Sequence, residues 1–168
     1  NIIGEHADYN MGYVLPTAIE KKITFKFQRN NSDRICNVYS MGYDTGFQID
    51  LGKIAPSTIE WENYILGVLN EISLKTGNVR GFNCTIESHL PIGSGVSSSA
   101  ALECGLAYGL NELFDLGLSK LEIVELSQRA EHTYVGTKCG IMDQFASVMS
   151  KAGNVILLDC ESLEYKYI

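Results

Sequence analysis

Side chains able to do chemistry fall in four places along the 168-residue chain. Glu5, His6 and Asp8 stand within four residues of one another, beside Gly4 and Gly12. Carboxylates accept from two hydroxyls at once and an imidazole donates or accepts, which is equipment for recognising a sugar. The trio follows the apolar pair Ile2-Ile3, as side chains aimed into a cleft would, although a solvated loop has the same composition. Glu131 and Asp143 lie 12 residues apart in the second half. By position alone, Glu131 reads as part of a solvated helix face and Asp143 as a cap or dipole partner at a helix start.

The fourth place is Leu90-Pro91-Ile92-Gly93-Ser94-Gly95-Val96-Ser97-Ser98-Ser99-Ala100-Ala101. It follows a predicted strand and opens a predicted helix. Gly93 and Gly95 allow consecutive backbone N–H groups to turn toward one point. The helix behind them adds about four unpaired N–H groups and roughly half a positive charge. The hydroxyls of Ser97, Ser98 and Ser99 suit phosphate oxygens or Mg²⁺. A Gly/Ser turn with a serine N-cap is the bland alternative, weakened by three serines running straight into a small-residue helix. The segment is neither GxxxxGK[ST] nor GxGxxG.

The elements that must position these groups follow from periodicity. Ile23, Phe25 and Phe27 alternate within Lys21–Gln28, the pattern of a strand with one buried face. Ile35–Tyr39, Phe47–Leu51 and the alternating Phe82, Cys84 and Ile86 predict further strands. Trp61, Tyr64, Ile65, Val68, Leu69 and Ile72 recur at helical spacing and end near Gly77. Helices are predicted over Ser98–Phe114, from a Ser119/Glu122 capping box to about Val135, and over Met142–Met149. Val155–Leu158 and Tyr165–Ile168 predict a final strand pair. Strands first and helices mostly later imply a two-layer α+β domain.

Composition bounds the function. The chain is 45% apolar, enough for one domain with a real core, and carries a net charge of −7. That surface disfavours nucleic acid and anionic membranes as partners. Apolar runs of about five residues are far short of the ~20 that span a bilayer. Five scattered cysteines without a CxxC read as reduced thiols in a cytoplasmic protein. His6, His89 and His132 lack partners at zinc-site spacing, so no transition-metal site is indicated. Residue 1 is Asn and the chain stops inside a predicted strand, so a piece of a longer protein is expected.

The segment LPIGSGVSSSAALE resembles the ATP-binding motif of the GHMP kinases, the superfamily of galactokinase, homoserine kinase, mevalonate kinase and phosphomevalonate kinase. Within it, the opening Asn1-Ile2-Ile3-Gly4-Glu5-His6-Ala7-Asp8-Tyr9-Asn10-Met11-Gly12 resembles the galactokinase signature, with Ala7 where the family usually has Thr. Gly140-Ile141-Met142-Asp143-Gln144 matches the same family. The three motifs, in the right order, cover nearly the whole chain.

The resemblance implies the two-layer GHMP kinase N-terminal domain, a ribosomal protein S5 domain 2-like fold with a left-handed βαβ element, over residues 1–168. The extreme N-terminus and a C-terminal domain of the same polypeptide would be missing. It implies ATP-dependent phosphorylation of the anomeric hydroxyl of galactose, with galactose and ATP as small-molecule partners and Mg²⁺ as metal. Glu5, His6, Asp8 and Gly140 would meet the sugar, and Asp143 the attacking hydroxyl. Gly93, Ser94, Gly95, Val96, Ser97, Ser98 and Ser99 would hold ATP, with Ser98 and Glu131 on Mg²⁺. An arginine that galactokinases carry two residues before the position of Asn1 is absent, so the isolated piece is expected to be inactive. Two alternatives accompany this reading: a non-catalytic galactose/ATP sensor and an N-acetylgalactosamine kinase. The intact Ser99-Ala100-Ala101 favours the enzyme over the sensor.

Overall fold

The computed structural model describes residues 1–4, 6–91 and 95–168. Glu5, Gly93 and Ser94 therefore lie outside the described residues. The larger sheet holds β2 (Ile23–Arg29), β3 (Ile35–Ser40), β4 (Thr45–Asp50) and β5 (Phe82–Ser88), in the order β2-β5-β3-β4. β5 runs antiparallel to β2, with Phe25 opposite Ile86, and parallel to β3, with Val38 opposite Cys84. A parallel pair needs a crossover, and β4 with α1 (Glu60–Thr76) supplies it. The alternation in the sequence is the alternation in burial: Phe82, Cys84 and Ile86 face the core.

Helices cover one face of this sheet. α1 buries Ile65, Val68, Leu69 and Ile72 and ends at Gly77, whose φ of +65° closes the last turn. α2 (Ser98–Phe114) lies on β2. Its Gly105 and Gly109, one turn apart, are there for close approach. A Cβ on them would come within 2.3 Å of the Phe25 ring and 2.1 Å of the Phe27 ring. The strand's phenyl groups thus seat directly on the helix backbone.

α3 (Lys120–Ala130) carries the expected capping box: Glu122 N–H donates to Ser119 Oγ at 3.2 Å and Ser119 N–H to Glu122 Oε2 at 2.8 Å. Its end differs from the expectation. The α-helix stops at Ala130, and Glu131–Val135 form a π-helical turn closed by Gly136 N–H to Glu131 O at 3.0 Å. Such widened turns depend on what packs around them, which periodicity does not carry.

A second sheet, in the order β1-β6-β7, contains β1 (Tyr13–Val14), β6 (Ile156–Asp159) and β7 (Tyr165–Tyr167), all antiparallel. The β6–β7 pair is the one expected; β1 was not, because two residues show no period. α4 (Met142–Met149) packs beside this sheet through Phe145, which shares a buried cluster with Val14, Ile156 and Leu158. No described helix is long and apolar enough to cross a membrane.

Candidate active site

α2 begins in an unusual way. Ser97 occupies its N-cap position with φ +56° and ψ +50°, a left-handed conformation that costs a residue with a Cβ ~1–3 kcal/mol. Among the described residues no side chain caps the helix. The reading of Ser97 as a side-chain cap is therefore not met. Ser98 is exposed, and Val96, Ser97 and Ser99 are half-buried.

Two adjoining cavities open here, with Ile23 and Leu90 lining both. The first, about 580 Å³, is lined by Gly95, Val96 and Ser97 from the loop and by Asp143 from α4. Lys21, Lys22 and Lys120 also reach its wall, bringing positive charge to an otherwise acidic chain. Asp143 sits in the first turn of α4, half-buried. The second cavity, about 510 Å³, is lined by Ser98 and Ser99 together with Tyr43, Trp61 and Tyr64. Tyr43 stacks on Trp61 with ring centres 5.5 Å apart, and Phe47 meets Trp61 edge-on at 5.2 Å. Sequence reasoning missed this aromatic wall. Trp61 and Tyr64 were counted in the core stripe of α1, and the signal was their place at its edge, where aromatic rings stay half-exposed.

The acidic residues behind the cavities are deeply placed. Glu131 is 5% exposed, so it does not belong to a solvated face. Gln144 Nε2 donates to Glu131 Oε2 at 2.9 Å, and Cys139 Sγ lies 3.4 Å from the same oxygen. Glu103 is fully buried, and both its oxygens lack a hydrogen-bond partner among the described residues. Burial first, and the Glu131 carboxylate next, push the Glu103 carboxyl up to about 10. Glu103 is thus uncharged near neutral pH. Burial, then Glu131, Glu60 and Glu103, push the Tyr64 phenol up to about 12.

The sugar-facing candidates form a separate group. Asp8 lies against Gly140, where any Cβ would come within 1.9 Å of Asp8 Oδ2. Gly140 is buried and three residues before Asp143, so Asp8 is brought to the approach of α4. His6 has a positive φ of 63°, and its ring bonds Tyr9 Oη. It is exposed and lines neither cavity with Asp143. His132 Nε2 pairs with Cys139 O at 2.8 Å, within the fold.

Residues 63–151 match the GHMP kinases N terminal domain, and the chain belongs to that family. Residues 1–29 match the galactokinase galactose-binding signature. The chain is 42% identical over its whole length to a galactokinase of Thermosipho africanus, of which it covers 46%. It is 44% identical over 99% of its length to a galactokinase of Clostridium tetani, of which it covers 43%. Lactococcus lactis galactokinase complexed with galactose superposes with a TM-score of 0.92 at 35% identity, over 99% of this chain and 44% of that one. Methanococcus jannaschii mevalonate kinase shares the fold, with a TM-score of 0.76 at 21% identity over 98% of this chain and 51% of that one. The chain spans about half the length of the galactokinases it matches.

Proposed function

We propose that the protein carrying this chain is a galactokinase, transferring the γ-phosphoryl group of ATP to the anomeric hydroxyl of galactose. The observation that carries the reading is one cavity lined both by the uncapped start of α2 and by Asp143. Residues 1–168 form its N-terminal domain, and the other half of the polypeptide closes the cleft. Its setting is the cytoplasm, consistent with five free cysteines.

Phosphates rest on the amides from Gly95 onward, where the helix end offers unpaired donors and positive charge. Gly93 and Ser94 directly precede Gly95 in the sequence. The adenine enters the second cavity, whose Tyr43 and Trp61 offer ring faces to a flat base. Glu5, His6 and Asp8 hold the sugar hydroxyls, and Gly140 leaves room for Asp8 beside them.

The acceptor oxygen forms a bond to the γ-phosphorus as the bond from that phosphorus to the β,γ-bridging oxygen breaks, releasing ADP. Asp143 orients the hydroxyl and accepts its proton late, as a loose transition state allows. Proton acceptance of this kind contributes ~10²–10⁴-fold. Mg²⁺ suits the oxygen donors present: the Ser98 hydroxyl and the Glu131 carboxylate, one oxygen of which is already oriented by Gln144. When bound, the ion neutralises phosphate charge.

The test is Asp143→Asn in the full-length protein. Galactose binding by calorimetry stays within about threefold of the unmodified protein, while galactose-dependent ADP release falls by ~10²-fold or more. Turnover near the original level would remove Asp143 from the reaction.

A further inference from the structure

Gln144 is the one residue of the Gly140–Gln144 stretch that reaches the buried acids, and the phosphoryl transfer described above gives it no direct task. It follows Asp143 in the first turn of α4 and is 1% exposed. Successive helical residues point ~100° apart. The same turn therefore carries Asp143 to the cavity wall and Gln144 to the interior. There Gln144 Nε2 donates to Glu131 Oε2 at 2.9 Å, and its Oε1 is buried without a partner among the described residues. Only the amide nitrogen can donate to a carboxylate, so this orientation of the amide is the one the chemistry requires.

Glu131 begins the π-helical turn, with its side chain directed to α4 and Cys139. Its carboxylate is thus oriented by a residue of the helix that bears Asp143. A neutral amide orients that carboxyl group and brings no positive charge of its own. A lysine or arginine in the same place would compete with a cation. A residue kept only to fill space would be apolar, since a leucine or methionine fits a similar volume and strands no buried oxygen.

We propose that Gln144 is a positioning residue: it holds the Glu131 carboxylate in a fixed orientation relative to Asp143, tying the metal side of the transfer to the acceptor side through one helical turn. The proposal rests on the reading of Glu131 as the Mg²⁺ carboxylate. Partners that orient a metal ligand typically change metal affinity ~10–100-fold when removed.

The experiment measures binding of a non-hydrolysable ATP analogue to the full-length protein by calorimetry, once with Mg²⁺ and once with EDTA. The ratio of the two affinities is the gain due to metal. In Gln144→Met that gain falls ~10–100-fold, while metal-free nucleotide affinity and galactose affinity stay within about twofold. Gln144→Asn, which keeps an amide but shortens its reach, gives an intermediate loss and serves if the Met variant does not fold. An unchanged gain in these variants, with Glu131→Gln losing it, overturns the positioning role alone. An unchanged gain in Glu131→Gln removes the metal reading of Glu131 and this proposal with it.

Discussion

Two helices of this domain have a serine at the N-cap position, and they begin in opposite ways. At α3, Ser119 takes an extended conformation, its hydroxyl and the Glu122 carboxylate satisfy backbone amides reciprocally, and Lys75 pairs with Glu122 at 2.8 Å. The Lys75 ammonium first, and the Ser119 amide next, hold the Glu122 carboxyl down to about 2. At α2, Ser97 is left-handed, no side chain among the described residues caps the helix, and uncharged Glu103 lies fully buried further along it. The same residue type serves stability at one helix and leaves the other helix unfinished. Gly95, Val96 and Ser97 before α2 line a cavity with Asp143, and the capped start of α3 adds only the Lys120 side chain to that cavity's wall. A left-handed Ser97 without a side-chain cap makes the start of α2 the end to test for a ligand.

The contrast can be broken directly. Ser97→Asp places a carboxylate where phosphates would lie. Two unit charges ~4 Å apart interact by ~4 kcal/mol at the polarity of a protein surface, so nucleotide affinity should fall ~100-fold or more. Calorimetric titration with an ATP analogue measures it, and an unchanged affinity would mean that α2 is not the phosphate site.

The buried acid behind α2 offers a second test. Glu103 is held protonated in the fold, above the ordinary carboxylate range of the unfolded chain. The folded state thus binds more protons than the unfolded state from about pH 4.5 to about pH 10. Its contribution to stability is complete below that window and is lost as pH rises through it. Denaturant unfolding should show stability declining from about pH 6 to about pH 9, by at most ~1.4 kcal/mol per pH unit. Glu103→Gln, uncharged throughout, should flatten that decline. Parallel slopes in the two proteins would show Glu103 to be ionised in the fold.

The smallest effect expected is at α3. Ser119→Ala removes the cap at a cost of ~1 kcal/mol, or ~2–4 °C in Tm for a chain of this size, and leaves nucleotide affinity unchanged. A loss of nucleotide affinity there would erase the distinction between the two helix starts.

Much of the frame could be read from the chain. The stripe from Trp61 to Ile72 and the small-residue run from Ser98 predict α1 and α2 almost to the residue, and the Ser119/Glu122 box predicts the start of α3, because local pattern and tertiary burial agree there. Nearness of the serine segment to Asp143 is also expected, through the family resemblance alone, and Ser97 and Asp143 line one cavity. The rest depends on contacts between distant segments. β1 is two residues long, and the π-turn at Glu131 is set by packing. Tyr43 and Trp61 come from different elements and meet only in space. Gln144 and Glu131 are 13 residues apart, and no local period joins them. Ser97 shows the sharpest gap: its type predicts a cap, and only its backbone angles reveal that it is not one.

The central claim is that the start of α2 and Asp143 serve one reaction in one cavity. Its most direct test is a crystal structure of the full-length protein with galactose and a non-hydrolysable ATP analogue. The phosphates should lie on the amides from Gly95 to Ala100. A galactose hydroxyl should lie within hydrogen-bond reach of Asp143, ~3–3.5 Å from the γ-phosphorus. Phosphates bound away from α2, or a sugar out of reach of Asp143, would contradict the account.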